Sequence, residues 1–153
     1  MTLLEVVLAL ALLAGIALAA TGWTTTTART SRQLADESAW SLAAAATLGL
    51  IGDDLASGDP IHDGVPVKAD GRVLSIRTRD ADGPAVHTIE HRDGRLILRR
   101  TARAQQQASE TVLLDQVVQF QAILEAADDE RTILSVAIER DNGVVIRRRW
   151  VLR

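Results

Sequence analysis

Residues 1–20 read MTLLEVVLALALLAGIALAA. Leu, Val and Ala fill most positions, and Glu5 is the only charged residue before Arg29. A helix of about 20 residues is about 30 Å long, the thickness of the hydrocarbon core of a bilayer. No proline interrupts the run, and Gly15 and Gly22 are the weak helix positions in and just after it. An all-round apolar helix of this length exceeds what a small domain buries in its core. We therefore read a membrane helix over residues 1–20. A cleaved secretory signal competes with that reading, since Ala17 and Ala19 supply small residues in an A-x-A arrangement. Such a signal opens on Lys or Arg, whereas this run carries only a negative charge.

The remainder reads as an ordinary domain. Of the 153 residues nearly half are hydrophobic, a share inflated by the N-terminal run. The net charge is −3, and setting Glu5 aside leaves about −2 for the rest. Mild acidity argues against a general nucleic-acid binder. The chain has no cysteine, which excludes disulfides, thiol catalysis and cysteine zinc sites. Aromatic residues are few: Trp23, Trp40, Phe120 and Trp150.

Flanking charge sets an expected orientation. Lys and Arg mark the cytoplasmic flank of a membrane helix. Here Arg29 and Arg32 follow the apolar run and no basic residue precedes it. Taken alone, this places the C-terminal domain in the cytoplasm. A basic leader ahead of Met1, removed by cleavage, reverses that expectation and makes Met1 a processed N-terminus.

These residues carry a resemblance. The run with T-L-L-E at residues 2–5 resembles the N-terminus of the type IV pilin and type II secretion pseudopilin superfamily. Its pattern is a basic leader ending in Gly, cleavage, an N-methylated residue, T-L-L-E and an apolar helix. The match covers about the first 20 residues, with Met1 where Phe is usual. The resemblance implies a methylated amine on Met1 and a subunit-assembly role for Glu5, whose carboxylate would pair with the terminal amine of a neighbouring subunit. A charge at mid-bilayer costs about 2.5–3.5 kcal/mol, so such pairing relieves both groups together. Snorkelling of Glu5 to the membrane surface is the simpler alternative.

Residues 21–58 read as an amphipathic continuation of the helix. Nothing stops it firmly before Gly58 and Pro60. Leu34, Ser38, Leu42, Ala45, Leu48 and Leu55 fall near one another at helical spacing, which predicts a packed face. Arg29, Arg32, Asp36 and Asp53 point elsewhere. Thr24 to Thr27 are β-branched and weak helix formers, so residues 21–27 are a place for bending. Gly22 stands near the place where many major pilins carry proline, which implies a softer kink.

Residues 59–153 read as an antiparallel sheet. RVLSIRT (72–78) alternates, with Leu74 and Ile76 on one face. AVHTIEH (85–91) and RLILRR (95–100) flank Asp93-Gly94, a strong hairpin signal. A two-residue loop there pairs Arg92 with Arg95 and groups Ile89, Leu96 and Leu98. TVLLDQVVQFQAILE (111–125) reads as a strand pair or one bent strand. TILSVAIER and VVIRRRWVLR flank Asp141-Asn142-Gly143. A three-residue loop with Gly143 left-handed joins Val136 and Ile138 to Ile146, Trp150 and Leu152. A two-residue loop would set them beside Arg147 and Arg149 instead. The first register buries the apolar set, and it leaves Arg148 on that face in need of a partner. Helix followed by meander is an α+β arrangement. The C-terminal third also resembles the J-type minor pseudopilins.

The remaining candidate sites are weak. His87 and His91 on one strand stand about 13 Å apart, too far to share a metal, and His62 lies in a loop. DADG (80–83) has Pro84 and His91 where a calcium loop needs ligands, so it reads as a turn. GDDLASGDPIHD (52–63) offers oxygen ligands for calcium, the single cofactor worth weighing. Arg147, Arg148 and Arg149 form a candidate interaction patch for an anionic surface or acidic partner, or else a solvated face. No catalytic constellation, phosphate loop or nucleophile elbow appears. The expectation is a non-enzymatic minor pseudopilin of a type II secretion filament, in the bacterial inner membrane with its C-terminal domain in the periplasm. Its implied partners are other minor and major pseudopilins, a prepilin peptidase and membrane lipid, with the subunit at the filament tip. Two alternatives stand beside it: a minor pilin of a type IV pilus or DNA-uptake filament, and a membrane-anchored periplasmic binding module or enzyme.

Overall fold

The computed structural model describes residues 2–57, 67–80, 83–102, 108–128 and 131–152. One helix, α1 (Leu3–Ala56), is followed by eight strands. The chain divides into two units, one ending at Ala39 and the other beginning at Trp40.

The first unit is helix alone. Residues Leu3 to Ala39 of α1 contain no buried side chain. The threonines do not interrupt the helix. The hydroxyls of Thr21, Thr24, Thr25, Thr26 and Thr30 each donate to carbonyls three or four residues back, at 2.9–3.1 Å. Each therefore finds its acceptor within the helix.

In the second unit the C-terminal part of α1 packs against two antiparallel sheets. The first sheet has the order β1 (Val67–Asp70), β2 (Val73–Asp80), β3 (Gly83–Arg92), β4 (Arg95–Ala102), β5 (Ser109–Leu114). The second has the order β6 (Val117–Asp128), β7 (Arg131–Arg140), β8 (Val145–Leu152). A single core joins them: Trp40, Ala44, Leu48 and Ile51 from the helix, Leu74, Ile76, Ile89, Leu96 and Leu98 from the first sheet, and Phe120, Leu134, Val136 and Ile138 from the second. At Gly52 an added β-carbon would stand 3.1 Å from Trp150 Nε1, so glycine lets β8 approach the helix.

Both hairpin registers match expectation. His91 pairs with Leu96 and Arg92 with Arg95. Asp93 and Gly94 both have positive φ, 52° and 74°, as the twist-matched two-residue turn requires. Ile138 pairs with Ile146 and Leu134 with Trp150. Gly143, at φ 81°, closes the three-residue loop.

Three expectations need correction. Leu34, Ser38, Leu42 and Ala45 are exposed, Leu42 to 74 %. The packed stripe is Trp40, Ala44, Thr47, Leu48, Ile51 and Asp54, spaced by threes and fours. It contains Asp54, whose polarity hid the stripe's phase. Residues 111–125 fall in two strands, as one of the two readings had it, but the two do not pair with each other. They break at Asp115-Gln116, where Gln116 takes φ 60°, and the chain passes from one sheet to the other. The single expected sheet is thus two, held together by Val117 N–H donating to Gly94 O at 2.9 Å and Ala122 N–H to Gly71 O at 2.8 Å. β1 was not anticipated, because four residues are too few to show alternation.

Candidate functional site

Three places bear on function. The first is the start of α1. Thr2 precedes the helix, and its backbone N–H donates to Glu5 Oε2 at 2.8 Å. Glu5 is the third helical residue, so this is half of a capping box. The carboxylate satisfies a backbone donor at the positive end of the helix dipole. The spacing Thr2-x-x-Glu5 ahead of an apolar run is its sequence signal, and it gives Glu5 a role within its own chain that the assembly reading passed over. Met1 lies outside the described residues. Beyond the cap, seven leucines between Leu3 and Leu18 are each 62–84 % exposed. Burying a leucine side chain is worth about 1.5–3 kcal/mol, so the seven together favour an apolar surrounding by on the order of 10 kcal/mol. The helix is long and apolar enough to cross a membrane once.

The second place is buried. His87, on β3, is 3 % exposed, and its Nδ1 lies 2.8 Å from Asp54 Oδ2 at the end of α1. With Asp54 ionised, the Nδ1–H donates. Next to this pair, Ser57 Oγ donates to Asp54 O at 3.2 Å and sits 3.0 Å from Thr78 Oγ1. His91 turns to another partner, its Nε2 lying 2.9 Å from Val117 O. The two histidines therefore serve different contacts, and His62 lies outside the described residues. Among the described residues no three His, Asp or Glu side chains converge as metal ligands. Half of the acidic 52–63 segment, residues 58–63, lies outside them too, and Asp54 within it is engaged by His87. Residues 81 and 82 of the DADG segment lie outside the described residues, and its ends, Asp80 and Gly83, pair across β2 and β3.

The third place is β8. Arg147, Arg148 and Arg149 are all exposed, but they do not form one patch. Arg147 and Arg149 share the outer face of the sheet with Val145 and Val151, opposite Ala137 and Ser135 of β7. Arg148 lies on the helix side, its guanidinium 5.4 Å from the centre of the Trp150 ring. This supplies the partner that Arg148 needed. None of the three forms an ion pair with a described carboxylate. Four other arginines, Arg92, Arg95, Arg99 and Arg140, do meet carboxylates. On the outer face of the first sheet, Arg99 Nη2 meets Glu110 Oε1 at 2.6 Å and Arg92 Nη2 meets Glu110 Oε2 at 3.4 Å. The hydrogen bond from Arg99 holds the Glu110 carboxyl below its ordinary range, and Glu110 in turn raises Arg99.

No family model, curated protein or solved structure matches the chain.

Proposed function

We propose that this chain is a minor pseudopilin of the J type, a subunit of a type II secretion filament that acts by assembly rather than by catalysis. One observation carries the reading. An exposed apolar helix, with a single carboxylate at its start, runs on into a stretch packed against antiparallel sheets. Such a subunit needs a surface that lipid covers before assembly and neighbouring helices cover afterwards, and Leu3 to Leu18 offer it. Trp23, 77 % exposed just past the apolar run, suits the membrane–water boundary.

On this reading the helix sits in the bacterial inner membrane and the sheet domain in the periplasm, in contact with other minor and major pseudopilins at the filament tip. A prepilin peptidase removes a basic leader ahead of Met1 and methylates the new amine. Glu5 then faces a choice between its own Thr2 N–H and the amine of a neighbour.

The test is intact-mass and N-terminal analysis of the protein from its native membrane, expressed from the full gene. A methylated Met1 produced by cleavage supports the proposal. An unmodified initiator Met1, or a cut near Ala19, sinks it. The exposed arginines of β8 favour a second reading within the superfamily, a minor pilin of a DNA-uptake filament. Strong retardation of duplex DNA at physiological salt would select it.

A further inference from the structure

We infer that β8 is a docking edge for an extended acidic segment of another protein, which joins the three-stranded sheet as a fourth strand. This stands whether or not the chain belongs to a filament.

The second sheet ends at β8. Among the described residues no strand lies beyond it, and no backbone hydrogen bond reaches its far side. An edge strand presents unpaired N–H and C=O groups in a row, which is a template for another strand. β8 is eight residues long, enough for a full ladder. Its outer face reads Val145, Arg147, Arg149, Val151, two exposed cations between two exposed valines, with Val145 40 % and Val151 61 % exposed.

Charge decides the occupant. Antiparallel pairing of β8 with its own copy sets arginine against arginine across three successive residues, and like charges directly opposite are destabilising. The edge therefore resists self-association, a device that edge strands use widely. The same row is complementary to a strand carrying carboxylates at two alternate positions and apolar side chains outside them. Recognition of this kind takes affinity from main-chain bonds and specificity from alternate side chains. Guanidinium–carboxylate pairing, bidentate where the geometry allows, adds the charge-assisted part.

The test uses the full chain in detergent micelles and a fluorescent peptide, Val-Thr-Glu-Thr-Glu-Thr-Val, titrated to millimolar concentration at physiological salt. We expect saturable binding, with slowed amide exchange in residues 145–152. Replacing Arg147→Gln and Arg149→Gln together should weaken binding at least tenfold, as should N-methylation of alternate peptide amides. Retention of α1–sheet exchange protection in the double variant would show that it is folded. Equal binding of the N-methylated peptide would overturn strand addition in favour of charge attraction alone. Tighter binding of duplex DNA, in competition with the peptide, would reassign the edge to nucleic acid. Absence of binding by the unmethylated peptide would reject the inference outright.

Discussion

Trp40 Nε1 donates to the carbonyl of Asp115 at 2.9 Å, across 75 residues of sequence. The indole is the first buried residue of α1, and Asp115 begins the two-residue step between the sheets. Arg140 closes over the same ring at 5.7 Å and hydrogen-bonds to Gln116, the other residue of that step. Helix, sheet switch and β7 thus meet at one indole.

Replacing Trp40 with Phe should therefore destabilise the domain by about 1–3 kcal/mol, because the Asp115 carbonyl loses its donor. Trp40→Ala should cost about 3–5 kcal/mol. Urea titration of the detergent-solubilised chain measures both. A Trp40→Phe cost near zero would mean that the hydrogen bond contributes nothing.

Asp54→Ala removes the acceptor of the buried His87 and should cost about 1–3 kcal/mol. Asp54→Asn keeps an acceptor oxygen and should cost clearly less. The same titration reads the ordering. If Asn proves as damaging as Ala, the charge rather than the hydrogen bond matters.

Gly143 holds φ 81° with open space where a β-carbon would stand. Gly143→Ala therefore suffers backbone strain alone, about 1–2 kcal/mol. A cost near zero would show that the loop can adopt another turn. That would put the β7–β8 register in question.

Glu110 is held below its ordinary range by Arg99. A carboxyl lowered in the folded state stabilises above its unfolded pKa, and that contribution fades as pH falls through the folded one. The thermal midpoints of wild type and Glu110→Gln should differ slightly at neutral pH. They should converge as pH falls below the ordinary glutamate range, near ~4. A gap that widens on acidification would contradict this. Added salt should shrink the gap at neutral pH, since the pair is exposed.

Glu5→Gln keeps an oxygen for the Thr2 N–H but removes the charge, whereas Glu5→Ala removes both. If a neighbour's amine is the partner that matters, both variants insert in the membrane and neither co-purifies with its partners. If the cap is what matters, Gln assembles and Ala does not. The comparison separates a role in the chain from a role between chains.

Legibility in the sequence followed local chemistry. Asp93-Gly94 and Asp141-Asn142-Gly143 could be read because positive φ restricts the choice of residue, and each turn then set the register of its strands. The apolar half of α1 could be read from composition. The phase of its packed half could not. Leu34 and Leu42 advertise a face that is exposed, while the packed face contains Asp54, made burial-tolerant by a histidine 33 residues away. The step at Asp115-Gln116 was also hidden, because a non-glycine residue at positive φ leaves no mark in sequence. Of the candidate site residues, the arginines were found as a run, but only strand alternation divides them between faces.

The threonine hydroxyls that bond back into α1 bear on how the helix can move. With their acceptors inside the helix, they do not hold that segment in water. Residues 6–28 carry no charge, a helical length of about 35 Å against about 30 Å of hydrocarbon. The surplus is about one helical turn. In a bilayer the helix could slide along its axis by that distance, like a piston in its sleeve, before Glu5 at one end or Arg29 at the other entered the lipid.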